Sequence, residues 1–196
     1  MNRCIAVIVG WPLLLLPALA SAAAWQIDSA HSNFGFKIRH LMVSNVKGEF
    51  TKSSGTVLMD DQDITKMKIE IMIDAASVYT GNAKRDDHLK TADFFDTAKY
   101  PSITFVSKGI TKGDKDRLKV TGDLTLRGVT REVTVDVEGP TPEIKDPSGN
   151  MRRGATATAT INRRDYGVNW NRVLDAGGVV VGDEVFIAVE IELIKK

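Results

Sequence analysis

One cysteine, three histidines and 7 % aromatic residues are all this 196-residue chain offers of the side chains that most often build redox, metal and stacking sites. The cysteine is Cys4, inside an N-terminal stretch expected to be removed, so the mature chain is expected to carry neither disulfide nor thiol chemistry. Charge of one sign is missing as well. With 26 basic residues against 25 acidic ones and no basic block, the electrostatic footprint of a nucleic-acid binder is absent, and no nucleic-acid partner is expected. The three histidines, His31, His40 and His88, show no tight metal-ligand spacing. There is no G-x-S-x-G elbow, Gly-rich phosphate loop or dinucleotide fingerprint, and the glycine-rich "DAGGVVVG" precedes a strand pattern where a phosphate loop precedes a helix. No catalytic residue, metal or cofactor is assigned.

The chain begins with an address label. Arg3 supplies a positive start, residues 5–16 form an apolar run, Pro17 breaks it, and "ALASAAA" offers small residues at signal-peptidase spacing. The run is shorter than the ~20 residues a bilayer span needs, and no basic stop-transfer cluster follows it. Residues 1–24 are therefore read as a signal peptide cleaved around 22–24, which implies export and leaves no stable membrane span. Residues 25–196 remain as one domain, with a formal charge of zero once Arg3 is lost.

Period-two patterning then runs along the whole mature chain. "NFGFKIRH" aligns Phe34, Phe36, Ile38 and His40 on one face, and "KMKIEIMID" aligns Met67, Ile69, Ile71 and Ile73. Ile103 and Phe105 continue the pattern, as do Val185, Ile187, Val189, Ile191 and Leu193. In "RLKVTGDLTLRGVTREVTVDVE", Arg127-Gly128 fits a two-residue hairpin loop, which sets Leu126 against Val129, Leu124 against Arg131 and Gly122 against Val133. Such strands carry one apolar face and one wet face, as antiparallel sheets do. Turn signals fall between them at "MDDQD", "KGDKD", "KDPSGN" and "DAGG". Only residues 82–96 do not alternate. There Asn82 is a plausible N-cap, Asp86 and Asp87 suit a first turn, and a helix of two turns is expected, with Phe94 and Phe95 packing at its end.

About eight one-faced strands must stack as a sandwich or close on themselves. "GATATATIN" favours closure around a cavity, because Ala155, Ala157 and Ala159 fill little volume on an inward face; Gly122 is read the same way. Two arginines interrupt apolar rows, Arg131 among valines and Arg163 after Ile161. Either both reach solvent at strand ends, or they await an anionic head group, which a guanidinium suits. A metal or general-base site built from His88 with Asp86 or Asp87 is the weaker alternative to a helix start whose acids serve its dipole.

"WQIDSAHSNFGFKIRH", "VKGEF", "TGNAKRDDHLKTADFFDTAKYPSITFVS", "GDLTLRGVTREV" and "INRRDYGV", in this order from Trp25 to Ile194, resemble the YceI-like family of polyisoprenoid-binding proteins. The resemblance implies an all-β fold, an extended antiparallel eight-stranded lipocalin-like barrel with a short helix at the barrel mouth. It implies a periplasmic location and a polyisoprenoid or similar long-chain lipid as partner, bound for transport or storage and not for reaction. In that family phenylalanine is common where Tyr166 stands. On this reading Phe34, Phe36, Ile38, Ile69, Ile71, Phe94, Phe95, Phe105, Leu124, Val133, Ala157 and Ile187 are expected to line the tail cavity, with Tyr100 beside its mouth. His40, Arg85, His88, Arg131 and Arg163 are candidates for the head group. A fatty acid or fatty amide binder, a metal-dependent hydrolase using His88, Asp86 or His40, and a ligand-free barrel are the alternatives. A homodimer through strand edges or the mouth stays open.

Overall fold

Alternation of branched and aromatic residues with charged ones makes strands that bury one side and wet the other, and the computed structural model folds them so. It describes residues 22–60, 62–114, 117–174 and 177–196. Most of the expected signal peptide lies outside the described residues, as do Asp61, Lys115, Asp116, Asp175 and Ala176 of three expected turns.

Twelve strands follow in chain order: β1 (Ala23–Ile27), β2 (Asn33–His40), β3 (Ser44–Phe50), β4 (Ser53–Met59), β5 (Lys68–Asp74), β6 (Val78–Tyr79), β7 (Ser102–Lys112), β8 (Arg117–Leu126), β9 (Val129–Glu138), β10 (Ile144–Lys145), β11 (Met151–Asn162) and β12 (Val181–Lys195). Six of them are halves of kinked walls. β1 and β2 pair with successive stretches of β12, β4 and β3 pair with β1 and β2, and β5 and β6 pair with β4 and β3. With the two-residue β10, which pairs only with β11, set aside, eight antiparallel walls result, closed into a barrel through β11, which pairs with both β12 and β9. Closure removes the strand edges that would otherwise invite aggregation.

The β8–β9 hairpin has the expected register, with Leu126 opposite Val129, Leu124 opposite Arg131 and Gly122 opposite Val133. Its loop residues Arg127 and Gly128 have φ of 52° and 73°, as a type I′ turn requires. Tyr100 lies over this turn, because a Cβ on Gly128 would meet its ring at 2.4 Å. It is therefore at the hairpin tip, and it does not line the cavity.

The expected helix is α1 (Ala83–Lys90), capped by Asn82, whose side chain accepts the Arg85 backbone N–H at 3.1 Å. At the opposite end of the barrel the bore is filled. Trp25, Met59, Val120 and Leu193 are buried there with Met67, Ile110 and Leu118 in one apolar cluster, each worth about 1.5–3 kcal/mol when fully withdrawn from water.

The β9–β11 seam is paired only at residues 156–158 of β11. Its open part is covered by the 3-10 turn Arg163–Tyr166, and Tyr166 packs in a cluster with Ile103, Leu124, Val129, Val133 and Ile161.

Candidate functional site

Above the filled end the barrel is hollow. A cavity of about 390 Å³ runs up to the end that carries α1. The twelve apolar residues named from sequence all stand on its wall: Phe34, Phe36, Ile38, Ile69, Ile71, Phe94, Phe95, Phe105, Leu124, Val133, Ala157 and Ile187. Ala155, Ala157, Ala159 and Ile161 face inward from β11 with the threonines between them exposed, so the row of small residues leaves space as anticipated. Gly122 does something else. A Cβ there would meet the Phe105 ring at 2.6 Å and the Val106 carbonyl at 2.5 Å, so this glycine makes room for a neighbour and not for a ligand.

Aromatic rings frame the mouth. Phe36, Phe50 and Phe95 form a chain with centroids 5.7 and 5.5 Å apart. His88, Phe94 and Trp170 form a second group, with the imidazole edge-on to both rings at 5.0 and 5.2 Å. Such pairs add about 0.5–1.5 kcal/mol beyond area burial and fix ring orientation. Trp170 and Leu89 escape a period-two reading because they lie outside the strands.

The titratable side chains on the cavity wall are Arg39, His40, Arg85, His88 and Arg163, and no carboxylate is among them. Four of the five were expected from sequence. Arg39, exposed between Ile38 and His40 on β2, reaches the mouth as well, and its Nη2 donates to the Met42 carbonyl at 2.9 Å. Arg131 is exposed and off the cavity; its Nε donates to the Asp165 carbonyl at 3.3 Å.

The remaining basic groups differ in their freedom. Arg163 is 4 % exposed, and it donates to the carbonyls of Gly182, Val168 and Trp170 at 2.7–2.9 Å and to Asp183 at 3.3 Å. Its guanidinium is a structural clamp, and burial lowers its pKa. Arg85 spends Nε and Nη2 on Thr80 at 2.7 and 2.9 Å. His88 Nε2 lies 2.8 Å from the Asp93 carboxylate. No partner engages the His40 ring among the described residues, which leaves His40 and part of Arg39 and Arg85 for a ligand.

Asp86 and His88 of α1 have separate partners. Asp86 is buried and accepts from the Thr80 backbone N–H at 2.9 Å and from its hydroxyl, away from His88. Asp28, His31 and Glu192 bring ligand atoms within 4.8 Å of one another on the outer wall, but Arg152 donates to both carboxylates and supplies the positive charge there.

A closed antiparallel barrel with an apolar lumen and a basic mouth is the architecture of a small-ligand binding protein. The model of the YceI-like domain matches residues 25–193, and the chain belongs to that family. It is 42 % identical over 161 residues to the UPF0312 protein SAS2572 of Staphylococcus aureus, covering 82 % of this chain and 91 % of that one. The crystal structure of BcnA from Burkholderia cenocepacia superposes with a TM-score of 0.72 at 26 % identity, covering 85 % of this chain and 98 % of BcnA. A polyisoprenoid binding domain from Saccharophagus degradans, implicated in plant cell wall breakdown, shares the fold with a TM-score of 0.65 at 18 % identity, covering 89 % and 99 %.

Proposed function

We propose that this protein is a periplasmic carrier or store for a long-chain lipid of the polyisoprenoid type, with the tail in the lumen and an anionic head at the mouth. The observation that carries the reading is the cavity, whose wall is apolar except for basic groups gathered at one end. The relative from Saccharophagus degradans, described as a polyisoprenoid binding domain, is consistent with it. A methylene occupies about the volume of a water molecule, ~30 Å³, so the lumen accepts on the order of a dozen chain carbons. At ~0.8 kcal/mol each, their burial gives about 10 kcal/mol gross, of which ordering and lost rigid-body freedom remove a large part. Micromolar binding needs no more.

The same arithmetic supports a second occupant, a fatty acid, whose chain length suits this volume. Binding is favoured because Asp86, which a hydrolase would pair with His88, accepts from Thr80 instead. Export rests on the N-terminal leader; processing after Ala22 would keep β1 whole, since Ala23 and Ala24 pair with Met59 and Leu58. Displacement of a fluorescent fatty acid from the purified protein tests the ligand class. A polyprenyl phosphate that competes more tightly than oleate supports the polyisoprenoid reading; oleate winning by tenfold transfers the site to fatty acids; displacement by neither refutes both.

A further inference from the structure

Leu41, Met42 and Val43 form the tip between β2 and β3, and they are 38, 52 and 77 % exposed. Val43 N–H donates to the His40 carbonyl at 3.1 Å, and Leu41 and Met42 both have positive φ, 49° and 60°. This is a type I′ turn, which favours Asn-Gly because bulky side chains are strained there. The β8–β9 turn of the same barrel places Gly128 at the second position. At Leu41–Met42 the chain bears two costs together, backbone strain and apolar exposure; hydrogen bonds from Arg39 to the Met42 carbonyl and from the Leu41 N–H to Val180 hold the turn but leave its side chains in water.

Beside this tip stands a second one. Val173 and Val179 form an isolated antiparallel bridge, the Leu41 N–H donates to the Val180 carbonyl at 2.8 Å, and Val173 is 82 % exposed. Both tips adjoin the mouth, because His40, Val180 and Val181 line the cavity. Arg39 and Arg172 flank them, and both are exposed.

We propose that these paired tips dock the barrel mouth-down on a lipid bilayer, with Leu41, Met42, Val43 and Val173 entering the interface and Arg39 and Arg172 facing anionic head groups. The argument for a bilayer as occupant is continuity: the apolar tips extend the apolar lumen outwards. A long chain crossing between bilayer and lumen then avoids water, where each exposed methylene costs ~0.8 kcal/mol. Charge agrees, since cations beside an apolar tip favour an anionic surface. The inference rests on the carrier reading for the cargo it delivers, but the surface is tested separately.

The experiment is flotation of the processed protein with vesicles of phosphatidylcholine containing about a third phosphatidylglycerol, run beside sedimentation velocity and uptake of a fluorescent fatty acid. The native protein is expected to float, and less so with phosphatidylcholine alone. Leu41→Asn with Met42→Gly is expected to lose at least tenfold in vesicle binding, with fatty-acid uptake unchanged and a melting temperature equal or higher. Val173→Asp is expected to lose flotation as well. A native protein that stays with the soluble fraction overturns the proposal, and so does a Leu41→Asn, Met42→Gly protein that floats like the native one. A dimer that this double substitution splits, without flotation, assigns the tips to a second copy and overturns it too. Flotation without uptake of fatty acid or polyprenyl phosphate keeps the docking surface and removes the carrier reading.

Discussion

Ala157 of β11 stands directly opposite Val137 of β9, at the centre of the three-residue ladder that closes the barrel. On its other side it faces Val189 of β12. All three line the cavity, and the alanine is the small member of the ring. Ala157→Phe is therefore expected to push a ring into open lumen, where it meets less of the ~1–3 kcal/mol overpacking penalty of a filled core. Fatty-acid affinity should fall at least tenfold while the melting temperature shifts by only a few degrees, as fluorescence titration and thermal unfolding would register. Unchanged affinity would mean that the chain lies elsewhere.

Tyr166 is expected to be a liability. Its hydroxyl is buried without a hydrogen-bond partner among the described residues, and burial pushes its pKa up to about 12. An unsatisfied buried polar group costs about 1–3 kcal/mol. Tyr166→Phe should raise the urea midpoint by an amount equivalent to about 1 kcal/mol, with no change in the slope of the transition. A lower midpoint would show that the hydroxyl is engaged.

Acid should weaken the outer wall before the lumen. Arg152 chiefly, then His31, holds the Asp28 carboxyl down at about 2. Arg152 chiefly, then Asn150, holds Asp146 well below the usual carboxylate range. A folded-state pKa below the unfolded value of about 3.9 means stability that is present above pH 4 and lost as pH falls towards 2. The melting temperature is expected to drop across that window. Arg152→Met should lower it at pH 7 and flatten the acid fall; an unaltered acid limb would place the linkage elsewhere.

Trp170 should report occupancy. It lines the mouth against His88 and Phe94, whereas Trp25 is fully buried in the filled end. Binding of an aliphatic ligand is expected to shift indole emission to the blue, and Trp170→Phe should abolish the shift. A shift that survives this substitution would put the ligand near Trp25.

Much of this was legible because the information was local. Alternation fixes which side chains of β2, β5, β8 and β12 point inward, and a two-residue turn at Arg127–Gly128 fixes the hairpin register by counting. The Asn82 cap and the acids after it mark α1 for the same reason. The basic mouth was harder, since the fate of a cation depends on partners far along the chain. Arg163 is saturated by carbonyls from residues 168, 170 and 182, in segments whose position no periodicity announces. Arg39 keeps its place on the outward row of β2 and still reaches the mouth, because a long side chain at the strand's end extends over the rim. Gly122 looks like empty space until Phe105 is seen lying across it. Arg127 ties the mouth together through the carbonyls of Ala92 and Gly167, a role that a turn residue does not advertise.

Native mass spectrometry of the protein purified without detergent tests the central claim most directly. One apolar chain per barrel, seen as a discrete added mass on the purified protein or after incubation with polyprenyl phosphate, is the expected result. A barrel that arrives empty and stays empty with both polyprenyl phosphate and oleate would contradict it.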